Sequence, residues 1–188
     1  LKNQFGTIYS TLNGSKPTTY IDVSLGELRS INVSFVGELN FPGIYTVHPF
    51  SSLISGLIQI GGVDTTGSLR QIELIRDNKK IKTIDLYDYF IEGDSPNNLQ
   101  LKDQDIVFVP ARKSKVVIDS AVVRPAIYES LEGETIRNMI DYAGGLKTNA
   151  SDQIAVTRLK PLDERNSEGS NYESFYLSFL EADKKTVG

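Results

Sequence analysis

The sequence predicts an α+β protein built from two copies of one small unit, each a mixed β-sheet crossed by a single helix. Two kinds of local pattern predict the unit: short β-rich segments with alternating apolar residues, and one amphipathic helical stretch. The third observation is that the same order of signals returns 83 residues later in a chain of 188 residues. A repeat of this period indicates two copies of one structural unit.

A β-hairpin opens the first copy. Apolar residues alternate along Ile31–Phe35, and Ile44–Val47 supplies the returning strand after the sequence Asn40-Phe-Pro42-Gly43. We expect Pro42 to preset φ and Gly43 to adopt the positive φ of a type II turn.

A short helix follows the hairpin. Ser51 and Ser52 are both plausible N-cap residues, and Gly61-Gly62 is typical of a helix end. The apolar stripe that should face the sheet consists of Leu53, Ile54, Leu57, Ile58 and Ile60.

Further short elements complete the first copy. The sequence predicts a strand at Gln71–Arg76, a turn at Asp77-Asn78, a strand at Lys80–Ile84, a helical turn at Leu86–Phe90 capped by Asp85, and a last strand at Ile106–Val109 before Pro110. Upstream, residues 1–14 predict a short helix, and Thr18–Leu25 predicts a strand. One helix crossing such a sheet is the β-grasp layout.

The repeat superimposes chemically similar residues. At an offset of 83, Val33 lies over Val116, Pro42 over Pro125, Tyr45 over Tyr128, Ser51–Leu53 over Glu134–Ile136, and Gly61-Gly62 over Gly144-Gly145. The copies are unequal, because Ser120 replaces Gly37 and Ala126 replaces Gly43. The second copy also has no counterpart of residues 101–110. We expect its missing last strand to lie outside the chain, to come from a neighbouring chain, or to be replaced by Thr18–Leu25, since an uncovered sheet edge is a liability.

Composition excludes several classes of protein. The chain has no cysteine, one histidine, a formal net charge of −4 and a pI near 5.1. Thiolate metal centres and thiol enzymes therefore have no ligands, and the acidity argues against nucleic acid as a partner. No apolar run is long enough to span a bilayer. We expect no cofactor, no metal and no membrane span.

Candidate chemical groups favour structural roles. His48 has no catalytic partner and is interpreted as a surface or packing histidine. Asp103 and Asp105 are interpreted as loop residues before a strand, and no metal-binding loop follows them. The acidic stretch of Asp85, Asp88, Glu92 and Asp94 is interpreted as a solvated face. Tyr45 and Tyr128 could stack on sugar rings, but packing at the hairpin is the favoured interpretation. We find no catalytic constellation and predict that the chain is not an enzyme.

The first copy resembles the SLBB domain, whose name abbreviates "soluble ligand binding β-grasp". The matching residues are Val36–Tyr45, Gly61-Gly62, Ile75-Arg76, Asp85-Leu86 and Leu101–Pro110, followed in the second copy by Arg124–Glu129, Gly133–Ile136 and Tyr142–Leu146. The repeat-motif residues, to which we assign mainly structural roles, are Gly37, Pro42, Gly43, Tyr45, Gly61, Gly62, Asp105, Pro125, Tyr128, Gly144 and Gly145.

Tandem SLBB units are similar to the periplasmic part of bacterial polysaccharide export proteins of the Wza and KpsD type. The resemblance implies a non-enzymatic, outer-membrane-associated protein that builds the wall of a ring-shaped passage for capsule or exopolysaccharide. It also implies self-association into a ring, an inner-membrane polysaccharide co-polymerase as partner, and weak, transient contact with the exported polymer. The alternative is a soluble β-grasp module that binds a small ligand or a short glycan.

The expected organisation has three parts. Residues 1–30 lead in from an upstream domain, residues 31–112 form the first SLBB unit, and residues 113–188 form a second unit that is incomplete at its C-terminus. We read the chain as a piece of a longer protein, so that any signal peptide or lipid anchor would lie outside it.

Overall fold

A computed structural model of the chain describes Tyr20, Ser24, Gly26 and residues 28–94, 99–165 and 170–187. The helix predicted within residues 1–14 lies outside these residues. So does the strand predicted at Thr18–Leu25, apart from Tyr20 and Ser24.

The first unit contains one five-stranded mixed sheet crossed by one helix. Its elements are β1 (Ile31–Gly37), β2 (Gly43–Val47), α1 (Leu53–Gln59), β3 (Ile72–Arg76), β4 (Lys79–Ile84), a π-helical turn (Asp88–Glu92) and β5 (Ile106–Val109). The strand order is β2-β1-β5-β3-β4. The central strand β5 runs parallel to β1 and antiparallel to β3, which confirms the α+β layout predicted from the sequence.

Helix α1 forms as its capping residues predict. Ser52 is the N-cap, and its side chain accepts a hydrogen bond from the Ser55 N–H. At the other end, Gly61 has a φ of 82°, and Gly62 N–H donates to Leu57 O at 2.8 Å, as in a Schellman motif. Leu53 and Leu57 are buried as expected, but Ile58 is 72% exposed and was wrongly assigned to the buried stripe.

The hairpin between β1 and β2 differs from the prediction at Gly43. Gly43 does not have a positive φ and begins β2, so alanine at the equivalent Ala126 meets no strain. Positive φ occurs instead at Gly37 (94°) and at its equivalent Ser120 (73°). At Gly37 a Cβ would lie 2.0 Å from Val109 O, so glycine is required for the close approach of β1 and β5.

The turn between β3 and β4 is the predicted one. Asp77 and Asn78 have φ values of 51° and 57°, which match the two central residues of a type I′ hairpin turn. After β4, Asp85 Oδ1 accepts a hydrogen bond from the Tyr87 N–H at 2.8 Å, as predicted for a residue that caps a helical turn.

The second unit repeats the first without a strand equivalent to β5 in the described residues. Its elements are β6 (Val116–Ile118), β7 (Ala126–Tyr128), α2 (Ile136–Tyr142), β8 (Gln153–Leu159), a 3₁₀ turn (Leu162–Glu164), β9 (Tyr172–Ser178) and a 3₁₀ helix (Phe179–Lys184). Strand β6 pairs with β7, and β8 pairs with β9. Thr135 caps α2 through a capping box with Asn138, at the position equivalent to Ser52.

Each unit has its own hydrophobic core, but the second core borrows from the first unit. The first core contains fully buried residues from the central strands, among them Val33, Phe35, Leu74 and Val107. The members of the second core are Val122, Tyr128, Met139, Ile140, Ala143 and also Tyr87, with Leu69 and Ile91 packed against it. Because Tyr87, Leu69 and Ile91 belong to the first unit, the two units share an apolar boundary.

Candidate functional site

The repeat-motif residues form two equivalent structural sets. Gly144 and Gly145 end α2 with φ values of 83° and 82°, as Gly61 and Gly62 end α1. The Tyr45 hydroxyl donates to Phe41 O at 2.9 Å, and the Tyr128 hydroxyl donates to Arg124 O at 2.8 Å. These bonds hold each hairpin closed. Pro42 and Pro125 are exposed in the connections that precede β2 and β7.

The two equivalent tyrosines both make packing contacts. The Tyr45 ring meets Phe35 edge-on with centroids 6.0 Å apart, and Tyr128 is 92% buried next to Tyr87. His48 is an exposed residue whose Nδ1 accepts from the Phe50 N–H at 3.2 Å.

Asp105 is a buried structural anion. Its two oxygens accept from Nε and Nη2 of Arg76 at 2.6 and 2.7 Å, and one of them also accepts from the Lys102 N–H at 2.7 Å. The Asp105 side chain is fully buried. The hydrogen bonds of Asp105 raise the pKa of Arg76, although burial acts in the opposite direction. The loop interpretation located Asp105 correctly before β5, but the bidentate pair ties the start of β5 to the end of β3.

The most connected polar group of the described chain lies where the two units meet. Arg70, in the segment before β3, donates from Nε to Asp85 Oδ2 at 2.9 Å and from Nη1 to Glu134 Oε2 at 2.7 Å. The same Nη1 lies 3.3 Å from Glu129 O, and Nη2 lies 3.3 Å from the Tyr142 hydroxyl. Asp85 belongs to the first unit and Glu129, Glu134 and Tyr142 to the second. One guanidinium therefore binds both units; we call these five residues the Arg70 junction.

Two aromatic rings enclose the Arg70 guanidinium. Its carbon lies 4.6 Å from the centroid of the Tyr87 ring and 5.0 Å from that of Tyr142. The two rings are themselves 5.3 Å apart in an edge-to-face arrangement. Only 5% of the Arg70 side chain is exposed, and desolvated cation–π contacts of this kind are favourable.

A second set of hydrogen bonds runs beside Arg70. Glu129, 3% exposed, accepts from the Ser68 hydroxyl at 2.6 Å and from the Leu69 N–H at 2.9 Å. The Glu129 N–H donates to the Tyr87 hydroxyl at 2.7 Å. In the described residues every buried side-chain polar atom has a hydrogen-bond partner. The polar groups at the boundary are therefore fully hydrogen-bonded, which favours one unique arrangement of the two units.

The electrostatics of the junction shift the pKa values of its two carboxyl groups, Glu134 and Asp85, in opposite directions. Burial alone would raise the pKa of Glu134, but the Leu131 N–H and Arg70 outweigh burial and lower it. Burial raises the pKa of Asp85 despite its bonds to the Tyr87 N–H and Arg70. Burial and the bond to Glu134 raise the pKa of Tyr142 to about 12. Burial would lower the pKa of Arg70, but Glu134 and Asp85 raise it, so the cation persists at any ordinary pH.

This arrangement can hold the two units together. Its cation is neutralised and enclosed, and its carboxylates are occupied by donors. Within residues 28–94, 99–165 and 170–187, no cluster of three metal-ligating side chains occurs. No helix among the described residues has the length and apolar character to cross a membrane.

Sequence reasoning missed the junction. It placed Asp85 on a solvated face, which is wrong, because only 20% of its side chain is exposed and it pairs with Arg70. Arg70, Tyr87 and Glu129 were not singled out as candidates. One signal was present: Glu134 and Tyr142 are polar residues eight positions apart, the first just before the second helix and the second at its end, in segments that match the family pattern.

Comparison with known proteins agrees with this architecture. An SLBB domain is matched twice, at residues 32–84 and 120–171. The chain is also 33% identical over 128 residues to the EPS I polysaccharide export outer membrane protein EpsA of Ralstonia nicotianae (strain ATCC BAA-1114 / GMI1000). That alignment covers 66% of this chain and 33% of the relative, so the chain spans about a third of the relative's length. Its two matched units, with their repeated caps, hairpins and glycine pairs, show that the chain belongs to the SLBB domain family.

Proposed function

We propose that the chain is part of a bacterial polysaccharide export protein associated with the outer membrane. Its similarity to the EPS I export protein carries this proposal. The proposed location is the periplasm, and the proposed role is architectural: the two SLBB units supply a piece of the wall of a translocation passage. The chain would associate with further copies in a ring and with an inner-membrane polysaccharide co-polymerase.

The Arg70 junction supports an architectural role. A wall segment must keep its shape while a polymer moves past it, and two units joined by a flexible linker would not. A buried cation bonded to Asp85 and Glu134 and enclosed by two tyrosine rings fixes the units against each other. The role needs no bond chemistry, so we propose that the chain is not an enzyme.

Contact with the exported polysaccharide is proposed to be weak. The chain carries 24 acidic and 20 basic residues. A surface with net negative charge repels an anionic polymer and thereby limits adhesion during transport. The alternative from the sequence, a module for a small soluble ligand, is not favoured by the relative that the chain matches.

Gene deletion and complementation test the proposal in the source bacterium. Removing the gene that encodes this chain should abolish secreted polysaccharide while polymer synthesis continues, and the wild-type gene should restore secretion. A gene carrying Arg70→Met should restore less, whereas Lys80→Met, at an exposed ion pair, should restore secretion fully. Normal secretion in the deletion strain would contradict the proposal.

A further inference from the structure

A cavity that opens to solvent lies beside the connection between β5 and β6. Its volume is about 590 Å³, within the range of about 300–1,000 Å³ that is typical of small-molecule sites. Thr65 and Thr66, which precede β3, form one part of the lining, and Ile127 on β7 forms another. Residues 111–115 of the connection complete the lining. Both units therefore contribute to one cavity.

This cavity is basic in a chain that is acidic overall. Arg112, Lys113 and Lys115 line it, and its described lining contains no aspartate or glutamate. The whole chain, by contrast, has 20 basic and 24 acidic residues. In the part of the chain that the structure describes, these three cations form no ion pair. Such a local concentration of positive charge attracts an anion.

Hydrogen bonds to a neighbouring segment hold Arg112 in place. The Arg112 backbone N–H donates to Thr66 O, and Nη2 of its side chain donates to Thr65 O, both at 2.8 Å. The Ser68 N–H donates to Pro110 O at 2.9 Å, so the two segments are joined on either side of this contact. The guanidinium keeps further N–H donors for a ligand. Because Arg112 is already positioned, less conformational entropy is lost when it binds.

The two threonine hydroxyls are acceptors for a ligand. The Thr65 hydroxyl donates to Asp64 Oδ1 at 2.9 Å, and the Thr66 hydroxyl donates to Glu38 Oε2 at 2.6 Å. A hydroxyl has a single donor, so both oxygens can offer only lone pairs to a bound molecule. The cavity thus combines cations, which bind an acid group, with oxygens that need a hydroxyl or N–H donor.

An acidic sugar has the groups that this lining requires. Its carboxylate suits the cations, its hydroxyls can donate to the threonine oxygens, and its C–H groups can pack on Ile127, whose side chain is 54% exposed. An inorganic anion has no such apolar groups. An extended peptide commonly adds to a free strand edge, but here Ala111 already bridges Gly67 and the Arg112 N–H is bonded.

We propose that this cavity binds an acidic saccharide. Arg112, Lys113 and Lys115 bind the sugar carboxylate, and the oxygens of Thr65 and Thr66 accept from the sugar hydroxyls. The inference rests on the proposed function for the source of the saccharide, which is the exported polymer. Since Lys113 and Lys115 are exposed, each contributes little in water, and the binding is weak and sensitive to salt. The acidic remainder of the surface confines contact to this cavity.

Titration of the full chain with trigalacturonate at low salt, followed by nuclear magnetic resonance, tests the proposal. We expect saturable shifts of the amide signals of Thr65, Thr66 and residues 111–115. The double variant Lys113→Gln with Lys115→Gln should bind about fivefold or more weakly. Its matched control, Lys79→Gln with Lys82→Gln, removes the same charge from exposed positions on β4 and should change the affinity by less than about twofold.

Two further probes test the chemistry of the ligand. Fully methyl-esterified trigalacturonate keeps its ring hydroxyls but has no charge, so it should bind about fivefold or more weakly. Equal binding of the ester, equal losses in the two double variants, or no saturable shift at the cavity would overturn the proposal. Hexaglutamate that binds as tightly as trigalacturonate would also overturn it, because the cavity would then fit an acidic protein partner.

The proposed function and this cavity can fail separately. Normal secretion after gene deletion would contradict the export role, whatever the titration shows. Absence of trigalacturonate binding, together with lost secretion in the deletion strain, would overturn the saccharide site and leave the export role intact.

Discussion

Arg70 and Glu134 join the two SLBB units across 64 positions of sequence, with Nη1 of Arg70 2.7 Å from Oε2 of Glu134. Glu134 also accepts hydrogen bonds from the Tyr142 hydroxyl and the Leu131 N–H. These bonds within the second unit fix the Glu134 side chain while it binds Arg70 of the first unit. The two units therefore meet through the Arg70 junction as well as through the apolar boundary, and not through a linker alone.

Removing the cation of the Arg70 junction should destabilise the chain. Arg70→Met leaves Asp85 and Glu134 partly buried without their common partner, and loss of one member of a buried ion pair costs about 3–5 kcal/mol. We expect a fall of about 3 kcal/mol in the free energy of unfolding, measured by urea denaturation. The control Lys80→Met breaks an exposed pair with Glu73 and should cost less than about 1 kcal/mol. Equal costs for the two variants would contradict the importance of Arg70.

The stabilising contribution of the Arg70 junction should fall in acid, because Glu134 becomes protonated. The folded-state pKa of Glu134 lies below its ordinary value of 4.5, so its stabilising contribution is present above pH 4.5 and is lost as the pH falls through the folded-state pKa. The difference in unfolding free energy between wild type and Glu134→Gln should therefore shrink below pH 4.5. The contribution of Asp85 has the opposite dependence on pH. Burial raises the folded-state pKa of Asp85 above its ordinary value of 3.8, so its stabilising contribution is present below pH 3.8 and is lost as the pH rises through the folded-state pKa. If the difference in unfolding free energy between wild type and Glu134→Gln did not change between about pH 3 and about pH 7, this account would be contradicted.

Asp105 should matter far more than its neighbour Asp103. Asp105→Asn removes the charge that Arg76 and the Lys102 N–H bind in a fully buried position, and we expect a loss of about 2–4 kcal/mol. Asp103 is exposed and accepts two hydrogen bonds, from the Asn32 N–H at 2.8 Å and, more weakly, from the Gln104 side-chain amide at 3.4 Å. Asp103→Asn should cost about 0.5 kcal/mol. Denaturant titration of both variants makes the comparison, and an Asp105→Asn chain as stable as Asp103→Asn would refute the buried pair.

Gly37 should tolerate no side chain. In Gly37→Ala the new Cβ would press on Val109 O from a positive φ, so we expect a loss of about 3 kcal/mol or more. Gly62→Ala has a similar φ of 83° with open space around it, and should lose only about 1 kcal/mol. Thermal unfolding of the two alanine variants separates steric clash from backbone strain; similar midpoints would show that clash contributes nothing.

The sequence predicted the parts of this fold that local chemistry decides. The turn at Asp77-Asn78 and the glycine pair at 61–62 each depend on a few neighbouring residues, so their patterns were sufficient. The helix cap was narrowed to Ser51 or Ser52, and the structure shows that it is Ser52. The positive φ that the sequence placed at Gly43 occurs at Gly37. Glycine is required at Gly37 because the backbone of Val109 in β5 lies against it, and a contact between residues so far apart in the sequence leaves no local pattern.

The junction could not be predicted in the same way. Asp85 lies in a segment with several other acids, and its burial depends on Arg70 and on the second unit. The interaction of Glu129 with Ser68 spans 61 positions, and no local pattern reports such a pairing. The repeat indicated that two units exist. The residues that join the units have different roles in the two copies, so comparing the copies does not reveal them.

The distance between the two units tests the central claim most directly. The chain has no cysteine, so exposed Lys82 on β4 and Ala155 on β8 can be replaced by cysteine and spin-labelled without background. Pulsed electron spin resonance should give one narrow distance distribution in the otherwise wild-type chain and a broad one after Arg70→Met. A broad distribution before that substitution, or an unchanged narrow one after it, would contradict a rigid pair of SLBB units held by Arg70.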